Sequence, residues 1–337
     1  MSTTRPNHAP VFISSDAAAQ VFDWKAAISA LQKAYGAPEE PAATPPRTIA
    51  SGSKAWLRCL PAAPAGSRYF GAKLMGMATD APTPGVEYVI VLYDRETSRI
   101  AGFVDGEKVT GFRTAATSAA ALDCMAALRP GKLAVLGSGL EAMMHVRAFA
   151  AIRDFDEIAI FSPTQAKREA LAAQLSAELG VPCVPAESGE LAVRDAGVVL
   201  AAARSHGEKP ILFGDWISPG AVTVSIGSTV PSQREIDVSV VAQSDVIVCD
   251  MVHEVVEETG DMIAAREAGY QIAGRCHSIG KLVGGALEDR IARARFPMFK
   301  SVGGGLQDVV VAGMILDRAR AAGLATELPI AFSTKLV

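Results

Sequence analysis

The stretch KLAVLGSGLEA, residues 132–142, limits the fold more than any other part of the chain. An apolar run turns sharply at Gly137-x-Gly139-x-x-Ala142 and continues as LEAMMHVRAFAAI, whose apolar spacing predicts a helix. Glycines at a strand-to-helix turn let the backbone approach a pyrophosphate, and the helix N-terminus offers unpaired N–H groups and a positive dipole end. An ordinary Gly-rich turn in a nucleotide-free α/β protein carries the same residues. The surroundings argue against it: EIAIFS follows as a second strand, then PTQAKREALAAQLSAELG as a helix stopped by Gly180, then the strands GVVLAAA, AVTVSIGS and DVIVCD. Short apolar strands alternating with helices predict a parallel sheet with crossover helices, running to about residue 300.

The flanks read differently. Residues 16–35 predict one helix, with Asp16 as its N-cap candidate, and GAPEEPAATPPRTIASGSKAW reads as loop. From SRYFGAKLMGM to RIAGFVDG the pattern is strand-like, with YDRETSR as a hairpin turn. An Ala-rich helix is predicted over 113–128, stopped at RPG, and KSVGGGLQDVVVAGMILDRARAAGL predicts a Gly turn and a closing helix. The expected fold class is therefore α/β, a Rossmann dinucleotide-binding domain inserted in an α+β domain. The boundaries expected are 1–118 with the returning segment 306–337 for the outer domain, and 119–305 for the inserted one.

The second strand of a site that prefers NAD usually ends in Asp or Glu, which binds the ribose 2′-hydroxyl. Here it ends in Ser162, followed by Thr164, Lys167 and Arg168. Hydroxyls and cations suit a 2′-phosphate, so NADP is the expected cofactor, with NAD open. Lys167 and Arg168 also read as an ordinary solvated helix face.

With 337 residues, a net charge of −4 and no Lys/Arg block, the chain lacks the footprint of a nucleic-acid binder. Aromatics make up 6%, too few for a base-stacking platform. Five scattered cysteines without a C-x-x-C pair read as reduced thiols, and His145, His253 and His277 have no zinc spacing, so no metal is expected. The start MSTTRPNHAPVFISS does not read as a signal peptide and no run reaches the ~18 apolar residues of a membrane span. A cytoplasmic protein without membrane partners is the expectation.

PPRTIA, GAKLMGM, FRTAATSAAAL, LGSGLEAMMH, SIGSTVPSQREID and FKSVGGGLQD occur in that order. Through them the chain resembles the ornithine cyclodeaminase/μ-crystallin family from about Val11 to the final helix. The family includes cyclodeaminases, alanine dehydrogenases and imine or ketimine reductases. The resemblance implies a homodimer whose first domain binds a small imino- or amino-acid substrate and pairs the subunits. It places Arg47, Lys73 and Arg113 as cations on the substrate side. The chemistry agrees, since Arg holds a carboxylate bidentately and Lys adds a charge or a proton. On the cofactor side it places Ser138, Gly139, Leu140 and Glu141, within the Gly137–Ala142 turn, at the pyrophosphate, Ser162, with Thr164 close by, at the ribose, Ala203 beside the nicotinamide ribose, and Ile226, Gly227 and Ser228 at the end of the next strand. Ser301 and Val302 fall where the family closes over nicotinamide and substrate. Asp308 reads as a cap or anchor of the last helix, and His145 as a packed helix residue.

Two positions depart from the cyclodeaminase pattern. Thr229 stands where those enzymes carry Asp, and the nearest match to their Glu is Arg58 in WLRCLP. Oxidising an amine and expelling ammonia needs a base at the α-amine, which an ordinary Thr hydroxyl does not supply. Reducing a preformed imine asks mainly for orientation, with Lys73, or a water held by Thr229, giving a proton. The expected activity is therefore NAD(P)H-dependent reduction of a small imino acid such as Δ1-pyrroline- or Δ1-piperideine-2-carboxylate. A cyclodeaminase or amino-acid dehydrogenase with another acid in place, for which Asp80 and Glu87 are candidates, stays open. So does a non-catalytic NADP-binding protein.

Overall fold

The computed structural model describes residues 9–83, 85–204, 207–330, 332, 333 and 335, so the first eight positions of MSTTRPNHAPVFISS lie outside the described residues. The chain divides into two compact units, Met1–Arg113 with Gly304–Val337, and Thr114–Gly303. The division falls within the helix Gly106–Met125, which starts earlier than the Ala-rich run because Gly106 to Phe112 continue the same helical path.

In the second unit an eight-stranded sheet runs Cys276–Ser278, Val246–Cys249, Pro297–Lys300, Val222–Ser225, Val198–Ala201, Gly131–Leu136, Phe155–Phe161, Cys183–Pro185. Every pairing in it is parallel. Its four central strands from Val246 to Ala201 in that order are buried at every position, as strands covered on both faces must be. The chain starts at Gly131–Leu136, winds outward to Cys183–Pro185, then crosses back to lay Val198–Ala201 on the other side of the first strand. That reversal is a topological switch point, and crevices for ligands open at the carboxyl ends of strands there. This is the Rossmann arrangement expected from the sequence.

The first unit is built on a seven-stranded sheet, Thr326–Glu327, Val11–Ile13, Ile100–Asp105, Val86–Asp94, Tyr69–Ala78, Ala55–Ala62, Thr48–Gly52. It is antiparallel except where Val11–Ile13 joins Ile100–Asp105. Thr48–Gly52, which reads as loop, is an edge strand exposed at every residue. With neither face buried it carries no apolar alternation, and its turn places Lys54 at φ 74. The expected helix over 16–35 is two helices, Ser15–Val21 and Trp24–Tyr35. Ser14 and Asp23 supply the N-caps, accepting from Ala17 N at 3.2 Å and Ala26 N at 2.7 Å. Phe22, extended between them, stacks on Phe112 with centroids 4.0 Å apart. The closing helix Gly305–Ala321 returns to this unit, and its Asp317 accepts from Tyr69 Oη at 2.6 Å. No helix among the described residues is long and apolar enough to cross a membrane.

Candidate active site

In the first unit, Lys73 sits in the interior strand Tyr69–Ala78 opposite Leu60 and Ile90, so it is no edge residue. Its ammonium is buried and lies 2.9 Å from Asp308 Oδ1. Arg113, also buried, has its Nε 3.1 Å from the same oxygen and donates through Nη1 to Gln307 Oε1 at 2.8 Å. Asp308 occupies the first turn of Gly305–Ala321 and does not cap it; it is the anion between two cations. Burial pulls the Lys73 ammonium down to about 8, and the positive charges of Arg113 and Arg58 add to this against the opposing pull of Asp308. Arg47 precedes Thr48, which pairs with Cys59. Cys59 adjoins Leu60, the residue facing Lys73 across the next pair.

The expected nucleotide residues gather in the second unit. Gly137 has φ 137, donates its N–H to Phe161 O at 2.8 Å, and a Cβ there would meet Ala202 O at 2.7 Å, so only glycine fits. At Gly139 a Cβ would point into open space, the room a pyrophosphate needs at the start of the helix Leu140–Ala150. That helix has no side-chain cap at its N-terminus. Within it Ala142 is buried and Leu140 is half exposed. Ser138 Oγ donates to Ser162 Oγ at 2.9 Å, joining the ends of the first and second strands. Arg168 donates to Ser162 O at 2.9 Å and lies over the Phe161 ring, which fixes the guanidinium at this strand end, while Thr164 and Lys167 are exposed. No carboxylate ends this strand, and the residues present fit a dinucleotide carrying a 2′-phosphate. His145 is occupied within the helix packing, its ring nitrogens 3.0 Å from Ser118 Oγ and 2.7 Å from Glu141 O.

At the switch point a cavity of about 250 Å³ is lined by Glu141, Ala202, Ala203, Arg204, Ile226, Gly227, Thr229 and Gln233. Five expected residues (Glu141, Ala203, Ile226, Gly227 and Thr229) therefore meet in one place. The Thr229 N–H and hydroxyl both donate to Gln233 Oε1, at 2.9 and 3.0 Å. Ser228 is off this lining: it is buried, and its hydroxyl donates to Gln233 O at 2.7 Å, closing the turn on itself. Ser301 and Val302 are also turned inward. Asp250 accepts from Ser301 Oγ at 2.6 Å, Val302 N at 3.1 Å and Gly303 N at 2.8 Å, and the Val302 side chain joins the core of this unit.

The sequence profile of the ornithine cyclodeaminase/mu-crystallin family matches residues 16–323. The chain belongs to this family. It is 28% identical over 242 residues to ketimine reductase mu-crystallin of Macropus fuliginosus, covering 72% of each chain. It is 23% identical over 273 residues to Delta(1)-pyrroline-2-carboxylate reductase of Bacillus cereus, covering 80% of this chain and 83% of that one. Among solved structures, Thermococcus litoralis Delta(1)-pyrroline-2-carboxylate reductase in complex with NADH and L-proline shares the fold, with a TM-score of 0.84 at 22% identity over 94% of this chain and 100% of that one.

Within this member of the family, four buried polar residues that bond to or beside the expected ones are passed over in the sequence. Gln307 adjoins Asp308 in the motif GGGLQD and takes on meaning only once Arg113 is seen against it. Asp250 closes the strand DVIVCD, where a terminal Asp is a local signal of a loop tie. Glu235 lies just beyond the turn Ser228–Gln233 in which an acid is missing, and Lys300, which opens the segment expected to be a Gly turn, is fully buried.

Proposed function

We propose that the chain is an NAD(P)H-dependent reductase of a small cyclic or N-substituted imino acid, of the Δ1-pyrroline- or Δ1-piperideine-2-carboxylate class. The carrying observation is the turn that lines the cavity. Thr229 and Gln233 bond to each other there, and the one carboxylate between Ser228 and Ile236, Glu235, is fully buried with both oxygens occupied by backbone N–H groups. A base for an α-amine is not supplied by such a turn. Asp80 pairs with Lys54 at 2.6 Å with both side chains well exposed, and Glu87 is exposed. The names of the Macropus and Bacillus relatives support the same reaction class.

The nicotinamide cofactor, when bound, supplies a hydride. Gly137, Gly139 and the N-terminus of Leu140–Ala150 would hold its pyrophosphate, and Ser162, Thr164 and Arg168 its adenosine ribose, with NADP preferred over NAD. Arg113, backed by Gln307 and joined by Arg47, takes the substrate carboxylate. Lys73, ionised at neutral pH with its ammonium at about 8, gives a proton to the imine nitrogen when the substrate arrives unprotonated. The five free cysteines suit a reducing, cytoplasmic setting. Pairing into a homodimer would cover the exposed Ile49 and Leu57 of the first unit's sheet edge, which light scattering after size exclusion tests.

The deciding experiment follows nicotinamide absorbance with purified protein, NADPH or NADH, and either cyclic imino acid, beside ornithine with catalytic NAD and an ammonia readout. Imine-dependent oxidation, faster with NADPH, is expected. Ammonia from ornithine without net cofactor change sinks the reading.

A further inference from the structure

Beneath the cavity lies a buried ionic network that the proposed chemistry does not use. The strands Val198–Ala201 and Val222–Ser225 pair in register as far as Ala201 and Ser225. One further bond, Ile226 N to Ala201 O at 3.2 Å, continues the ladder; beyond it the strands part, and the Ala203 and Gly227 N–H groups need an acceptor. Glu235 supplies it. Its Oε1 accepts from Ala203 N at 2.9 Å, and its Oε2 accepts from Ile226 N at 3.0 Å, Gly227 N at 2.8 Å and Ser225 Oγ at 2.6 Å. A Cβ on residue 227 would lie 2.2 Å from Oε1, so the carboxylate occupies the space a side chain there would take. Three of the tied residues, Ala203, Ile226 and Gly227, line the cavity.

We propose that Glu235 is the positioning residue of the cofactor cavity: its ionised carboxylate fixes the spacing of the two parted strand ends against which the nicotinamide end of the dinucleotide binds. This rests on the reading of that cavity as the dinucleotide site. The four groups facing the carboxylate are present as donors, because Ser225 Oγ itself receives a hydrogen bond from Lys300 Nζ at 2.8 Å. A proton on Glu235 would therefore meet a donor and displace at least one tie.

The charged groups around it set when that happens. Lys300 bridges Ser225 and Asp261 Oδ2, the latter at 3.0 Å, while Asp261 Oδ1 accepts from Glu235 N at 2.8 Å and lies 3.4 Å from Arg234 Nε. Burial pushes the Glu235 carboxyl up to about 7; Lys300, the Ser225 hydroxyl and the Gly227 N–H oppose the rise, and Asp261 adds to it. The folded protein thus takes up a proton on Glu235 as pH falls through about 7, well above an unfolded glutamate. If only the ionised form holds the cavity, dinucleotide affinity is complete above that pH. It weakens below it, with a limiting slope of about tenfold in Kd per pH unit for one proton.

Calorimetric titration of the purified full chain from pH ~5.5 to ~8.5 tests this, with NADP+ and, because a 2′-phosphate itself titrates near ~6, NAD+ in parallel. The wild type should lose affinity for both dinucleotides below about pH 7. Glu235→Gln should bind at least about tenfold more weakly at high pH and lose the pH dependence. Ser225→Ala, which keeps the backbone ties but removes a bond to the ionised form, should move the midpoint to higher pH and leave the high-pH affinity in place. Should Glu235→Gln fail to fold, the Ser225→Ala midpoint decides alone. An unmoved midpoint in Ser225→Ala, or wild-type affinity and pH dependence in Glu235→Gln, overturns the inference while leaving the cofactor reading intact. Absence of binding by the wild type at every pH overturns both.

Discussion

Asp308→Asn separates the electrostatic reading of the substrate side from a purely structural one. Asp308 Oδ1 is 2.9 Å from Lys73 Nζ and 3.1 Å from Arg113 Nε, and all three side chains are buried. At an effective dielectric of about 20, a single ion pair at that distance is worth about 6 kcal/mol, against a desolvation cost of several kcal/mol for each ion. The intact cluster is therefore close to break-even. Removing one charge is not: it leaves buried cations without their counter-ion, a loss of about 3–5 kcal/mol. Asn keeps the shape and one carbonyl acceptor, which places it at the lower end, a melting shift on the order of 10 °C.

Its effect on proton transfer has a definite sign. Asp308 raises the proton affinity of Lys73, so its removal lets an ammonium already at about 8 fall further. Lys73 should then be largely neutral near neutral pH. The alkaline limb of imine reduction, expected near pH 8 in the wild type, should move to lower pH in Asp308→Asn, with the loss of rate greatest above neutrality. The assay is the pH dependence of kcat with either cyclic imino acid, beside a thermal melt at each pH. A lowered melting temperature with an alkaline limb still near pH 8 would show that Lys73 does not deliver the proton, and the reasoning would fail.

Arg113→Lys keeps the charge but loses the guanidinium fork that reaches both Asp308 and Gln307. KM for the imino acid should rise on the order of tenfold to a hundredfold, with a smaller change in kcat; an unchanged KM argues against carboxylate binding there. Ser162→Asp places a carboxylate at the second strand end and should weaken NADPH binding at least about tenfold while NADH holds or improves, measured as the ratio of kcat/KM for the two cofactors. Gly137→Ala puts a methyl 2.7 Å from Ala202 O at φ 137 and should abolish dinucleotide binding; retained binding by calorimetry would mean that the turn is not the pyrophosphate site.

What can be read from the sequence, and what cannot, divides along one physical line. Continuous apolar strands and the Gly137–Ala142 turn are local signals, because burial on both faces and a positive φ each demand particular residues at particular places. The break between Val21 and Trp24 is also written locally, in Asp23, but helical spacing on both sides conceals it. Thr48–Gly52 leaves no trace, since an exposed edge strand asks nothing of its side chains. The acids are the hardest. Glu235 stands in the polar stretch PSQREID where a carboxylate predicts solvent, and Asp308 at a helix start where it reads as a cap or anchor; each is buried because donors from distant segments converge on it. One faces two cations from a strand and a helix; the other faces backbone N–H groups from two strand ends. Thr229 stands where the turn lacks its acid, yet a carboxylate is present a few residues on, facing inward. That charge serves the architecture of the turn rather than its chemistry. A buried carboxylate with both oxygens turned to backbone N–H groups does not reach a substrate amine, so Glu235, present but turned inward, is consistent with the case for imine reduction.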